Sequence, residues 1–115
     1  MKKNISIFLD HILESIKLIE EYIEGKNKTD FLESNKLQDS IIRRLEVIGE
    51  AIKNIPNEFK EKYKQIPWRE ITGMRDILIH QYFGVDLNLT WQVVDRDLLK
   101  LKKQIIEIKK EIQNT

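Results

Sequence analysis

Apolar residues recur along this chain at intervals of three and four, the spacing that lays one stripe along an α-helix. The first stripe reads Ile5, Phe8, Ile12, Ile16, Ile19 and Ile23. Gly25 and the polar run GKNKTD end it. Asp30 with Glu33 offers a loose capping box for the next helix, and Ser34 or Asn35 offers a second start. The second stripe is Leu37, Ile41, Leu45, Ile48, Ile52 and Ile55, stopped at Pro56. A helix does not run easily through proline, and the residue before it is pushed out of the α region.

The segment NEFKEKY predicts a short helix ahead of Ile66 and Pro67. Pro67 suits the first turn of another helix, where a missing N–H costs nothing. That helix carries Trp68, Ile71, Met74, Leu78 and Ile79, and Gly84 breaks it. Asp86 or Asn88 then caps a last helix with Leu87, Trp91, Val94, Leu98, Leu101, Ile105, Ile108 and Ile112 on one seam. The periodicity predicts an all-α antiparallel helical bundle of four main helices plus a short helix. Gly49 and Gly73 fall inside helical patterns, where close helix packing is the ordinary reason for glycine.

Composition narrows the class. A chain of 115 residues with 41% hydrophobic and 34% charged residues is expected to form one globular domain over residues 1–115. With no cysteine, disulfides and thiolate metal sites are excluded. Asp10 and Glu14 interrupt the apolar run that a signal peptide needs, and no stretch approaches a membrane span. A cytoplasmic protein with no membrane association is expected. The formal net charge of +1 says little about partners. Residues 96–111 carry Arg96, Lys100, Lys102, Lys103, Lys109 and Lys110 against Asp97, Glu107 and Glu111. Such an excess either faces a phosphate backbone or is the solvated side of a helix.

Most familiar sites are missing. The chain has no P-loop, no G-x-G-x-x-G and no H-E-x-x-H, and its only histidines are His11 and His80. A histidine-rich metal site is impossible within one chain, so neither metal nor cofactor is expected. His11, beside Asp10, reads as exposed. What remains is the stretch MRDILIHQYFGVD, with Arg75, Asp76, His80 and Tyr82. On a continuous helix Arg75 and Tyr82 share a face, and His80 lies about 140° round from Arg75. Histidine exchanges protons near neutral pH, and arginine offers a planar fork of donors to phosphate oxygens. RNA supplies its own nucleophile, the 2′-OH, so these groups could cleave it without a metal. Spacing alone leaves the alternative open: an arginine and a histidine at a helix end, where the dipole favours a cation.

R-D-I-L-I-H-Q-Y resembles the R-x-x-x-x-H-x-Y signature of HepT-like toxins, within the HEPN superfamily (higher eukaryotes and prokaryotes nucleotide-binding). The likeness extends to RRLEVIGEA at residues 43–51, Trp68, the I-x-G-M-R run from Ile71 to Arg75, Val85–Asp86 and Trp91. It covers roughly residues 5–112. The resemblance implies an all-helical, homodimeric ribonuclease toxin of a type VII toxin–antitoxin pair, its two R-x-x-x-x-H motifs meeting in a cleft between subunits. By the same resemblance His80 is the acid/base, Arg75 the phosphate or transition-state ligand, and Asp76 the residue that orients one of them. Tyr82 is then the acceptor for AMP transferred by a cognate minimal nucleotidyltransferase antitoxin. Bulk and negative charge two residues from His80 would block the RNA phosphate.

Two functions of different class fit these residues. One is a metal-independent endoribonuclease acting on RNA such as tRNA. The other is a non-catalytic helical module that holds a nucleotide or a nucleotidyltransferase partner. Arg43 and Arg44 are candidates for RNA or partner contact, although adjacent helical residues diverge by about 100° and one of them is expected to be merely solvated. Glu50 is expected in an exposed salt bridge. The Trp91 seam reads as core or dimer interface rather than a base-stacking platform.

Overall fold

A computed structural model describes the chain over residues 4–80 and 86–113. Within these, the side chains of Arg75 and of residues 77–80 fall outside the description. Four long helices carry the fold: α1 (Ile5–Ile23), α3 (Asn35–Lys53), α5 (Trp68–His80) and α7 (Leu98–Gln113). Three short ones connect them: α2 (Lys28–Glu33), α4 (Asn57–Lys62) and α6 (Leu87–Gln92). Among the described residues there is no strand, and no helix is long and apolar enough to cross a membrane.

The helix boundaries follow local chemistry. Gly25, at φ +72°, turns the chain out of α1 in the left-handed region that glycine enters without steric cost. The capping box lies three residues earlier than the Asp30–Glu33 pair suggested. Asn27 caps α2, its side chain accepting from the Asp30 N–H at 2.9 Å while Asp30 accepts from the Asn27 N–H at 2.9 Å. That adds a second short helix to the one expected at NEFKEKY. Ser34 caps α3 as anticipated, its hydroxyl accepting from the Leu37 N–H at 3.0 Å. Gln38 turns its amide back on the end of α2 and donates to the carbonyls of Phe31 and Leu32.

Pro67 sits one position ahead of α5 rather than inside its first turn, and its carbonyl accepts from the Ile71 N–H at 3.1 Å. Trp68 fixes this corner. Its indole N–H is shared between the carbonyls of Lys60 and Tyr63, at 3.1 and 3.0 Å, so the end of α4 is tied to the first turn of α5. Asp86 caps α6 through the Leu89 N–H. The last helix is not uniform: Val93–Asp97 form a π-helical turn between α6 and α7. Thr90, Val94 and Leu98 are all buried at intervals of four. Such a run drifts round an α-helix, and the wider π turn brings it back to the core. Thr90 satisfies its hydroxyl by donating to the Asp86 carbonyl at 2.9 Å.

The core is mostly the set of stripes read from the sequence. Ile12, Ile16, Ile19, Ile41, Leu45, Ile48, Ile52, Leu98, Leu101, Ile105 and Ile108 are buried. On α1 the buried face is turned slightly from expectation, with Leu9 wholly enclosed and Phe8 only half-buried. Phe31 of α2 is enclosed against Trp91, ring centroids 5.5 Å apart. Trp91 is therefore a packed, half-buried core residue. The long helices pack α5 on α3, α3 on α1 and α1 on α7. Lys102 pairs with Glu20 at 3.1 Å and Lys109 pairs with Asp10, which sets α1 and α7 antiparallel.

Gly73 departs from expectation. A Cβ built there meets nothing within 4 Å, so no neighbouring helix of the described protein requires glycine. Gly73→Ala is expected to stabilise the fold by about 0.5–1 kcal/mol and raise the melting temperature a few degrees by calorimetry. Near the other end of α5, the Tyr63 ring lies tilted against Phe59, centroids 5.0 Å apart, and its hydroxyl faces Glu111 of α7. Burial, then the Glu111 charge, then hydrogen bonding to that carboxylate raise the Tyr63 pKa above its ordinary 10. The folded state thus holds this proton more tightly than the unfolded chain. The resulting stability is complete below pH 10 and is lost as pH climbs through the raised value. Tyr63→Phe should flatten the alkaline loss of melting temperature and leave the acid limb unchanged.

Candidate functional site

The motif sits on the last two turns of α5. With Trp68 anchoring its first turn, the described part of the helix runs thirteen residues, Trp68–His80. Arg75 and His80 are both helical, about 7.5 Å apart along the axis. Asp76 is half-buried. Tyr82 lies outside the described residues, as does Gly84. The geometry therefore places the main chain of Arg75, Asp76 and His80 on one helix, and the chain returns six residues later as α6.

Among the described residues the bundle is open beside α5. α5 and α7 leave an apolar groove of about 290 Å3 between them, lined by Leu45 and Ile48 of α3, Ile71 and Met74 of α5, and Val93 and Leu101 opposite. Ile71 and Met74 are only half-buried. Glu70, Asp97 and Lys100 stand at its rim. The groove runs along the turns of α5 that lead to Arg75.

A second, more polar depression of about 440 Å3 brings together residues that read separately in the sequence. His11 and Phe8 of α1 face Arg43, Glu46, Glu50 and Asn54 of α3. Arg43 approaches Glu46 at 3.9 Å with its side chain 69% exposed, so the pair is loose. Spacings of three on α1 and of three, four and four on α3 were the available signal for this grouping. It lies on the side of α3 opposite Leu45 and Ile48, and so away from the groove beside α5. Arg44 is half-buried. Among the described residues no group of three His, Asp or Glu side chains is placed to hold a metal ion.

Comparison with known proteins gives the family. The family model described as Ribonuclease HepT-like matches residues 12–108. The chain belongs to the HepT-like ribonuclease family. A Thermococcus cleftensis protein named "Probable ribonuclease HepT" is 47% identical over 110 residues, covering 96% of this chain and all of the relative. A Methanocaldococcus jannaschii protein, "Gamma-glutamylcyclotransferase and putative RNase", is 60% identical over 112 residues. That match covers 97% of this HepT-like chain but only 50% of the relative, so the chain spans half of that protein's length. A "Putative RNase" of Caldanaerobacter subterraneus is 44% identical over 101 residues, 88% of this chain and 90% of its own. No solved structure gives a significant match.

Proposed function

We propose that this chain is a metal-independent endoribonuclease, the toxin of a toxin–antitoxin pair, acting as a homodimer. The observation that carries this reading is an R-x-x-x-x-H-x-Y motif, its Arg75 and His80 on α5, in a chain that matches the HepT-like ribonuclease family over residues 12–108. In the proposed reaction the ribose 2′-oxygen attacks the adjacent phosphorus while a histidine takes its proton. The bond from phosphorus to the 5′-oxygen breaks, and that oxygen receives a proton from an acid. The products are a 2′,3′-cyclic phosphate and a 5′-hydroxyl. His80 acts in proton transfer, Arg75 holds the non-bridging oxygens as charge builds on them, and Asp76 orients one of the two. A second copy seated beside α5 brings a second His80 to the cleft, which supplies base and acid together. The half-covered Ile71 and Met74 support a partner on that side.

Regulation is proposed at Tyr82. Its hydroxyl oxygen attacks the α-phosphorus of ATP on a cognate minimal nucleotidyltransferase, and pyrophosphate leaves. The attached AMP places a negative charge where the RNA phosphate must lie, so substrate is repelled.

The decisive assay uses unmodified protein, labelled total tRNA and excess EDTA. Wild type should cleave and leave 2′,3′-cyclic ends, and His80→Ala should be slower by about 100-fold or more. No cleavage by wild type, with intact mass confirming free Tyr82, would overturn the reading in favour of a non-catalytic binding module. For the switch, Tyr82→Phe should still cleave RNA but gain no AMP mass when incubated with ATP and the nucleotidyltransferase. An undiminished mass gain on that variant would remove Tyr82 from the scheme.

A further inference from the structure

The basic excess near the C-terminus resolves, in three dimensions, into two faces with different fates. Lys102 and Lys109 are partly buried and point at α1, where Glu20 and Asp10 neutralise them. Arg96, Lys100, Lys103 and Lys110 are exposed. Among the described residues none of these four pairs with a carboxylate. On α7 itself, Lys100, Lys103 and Lys110 fall within about 80° of one another, over about 15 Å of helix. Arg96 continues the line across the π turn.

The acids of the same segment lie mostly off the arc of the three α7 lysines. Asp97 shares the rim of the apolar groove with Lys100, and Asp95 shares a depression near the start of α6 with Lys28 and Arg96. On the arc from Lys100 to Lys110, Glu107 is the one acid, which leaves three lysines against one carboxylate along this exposed edge. Its upper end adjoins α6, whose cap residue, Asp86, follows His80 by six residues and so by at most about 22 Å.

We infer that this outer edge of α7 is a docking strip for the sugar–phosphate backbone of RNA, holding the substrate beyond the bond to be cut. The inference rests on the ribonuclease reading for its ligand, and on the split between paired and unpaired lysines for its location. Lysine is a mobile point charge that matches phosphate without selecting a base, so the strip contributes affinity and orientation rather than sequence choice. A net charge of +1 is compatible with such binding only if the cations are segregated as they are here. Leu99 and Ile106, exposed at the strip's edge, are the feature a protein partner would use instead.

The test compares two double variants with identical charge change and identical spacing. Lys103→Gln/Lys110→Gln alters the strip; Lys102→Gln/Lys109→Gln alters the face against α1. Binding of a fluorescein-labelled stem–loop RNA is followed by anisotropy across a salt series, in a His80→Ala background so that the probe stays intact. The strip variant should lower the slope of log affinity against log salt by about 1.4–1.8 and weaken binding about tenfold or more at low salt. The variant on the inner face should keep the parental slope. Equal slopes in all proteins, or the same reduction in both doubles, would overturn the assignment. Unchanged RNA affinity with an altered oligomeric state by light scattering would assign the edge to a protein contact and overturn it as well. Failure of the cleavage assay with loss of RNA binding in the strip variant alone would leave the strip standing and remove only the catalytic reading.

Discussion

The bundle depends on burying one helix on two sides. α3 contacts both α1 and α5, so its hydrophobic arc must be wider than that of a helix with a single neighbour. Ile41, Leu45, Ile48 and Ile52 fill the centre of that arc, and Gly49 and Ala51 are buried near its two edges, about 160° apart. Large side chains in the middle hold the core, while small ones at the margins let flanking helices approach. Each fully buried isoleucine or leucine contributes roughly 1.5–3 kcal/mol. α1 and α5 take their places from α3, and α7 takes its place from α1.

This chain of dependence explains why, among the described residues, α5 has a side that is only partly covered. α5 packs on α3 but leaves a groove towards α7, and its Ile71 and Met74 are half-exposed there. The tie from Trp68 to the carbonyls of Lys60 and Tyr63 sets where α5 starts, and helix geometry then sets where His80 falls.

Electrostatics follow the same logic of faces. The lysines of α7 are indistinguishable by composition, yet a rotation of about 100° between neighbours decides whether each meets an acid of α1 or water. Lys102 and Lys103 are adjacent in the chain and opposite in circumstance. A similar sorting on α3 gathers Arg43, Glu46 and Glu50 with His11 in a polar depression, while Leu45 and Ile48 line the apolar groove.

Local order alone determined a good deal. Apolar spacing, the Ser34 and Asp86 caps and the break at Pro56 are properties of a few neighbouring residues, and the four long helices were legible from them. The stretch from Arg75 to Tyr82 stood out in the sequence too, because its resemblance to a family pattern is carried by neighbouring residues alone. Other features came from contacts between segments far apart. The capping box moved to Asn27 when α2 formed to bury Phe31 against Trp91, sixty residues away. The π turn arose because Thr90, Val94 and Leu98 all had to face one core. The open space at Gly73 and the division of the lysines depend on which helix lies opposite. Periodicity states how a residue is placed on its own helix; only packing decides what that residue faces.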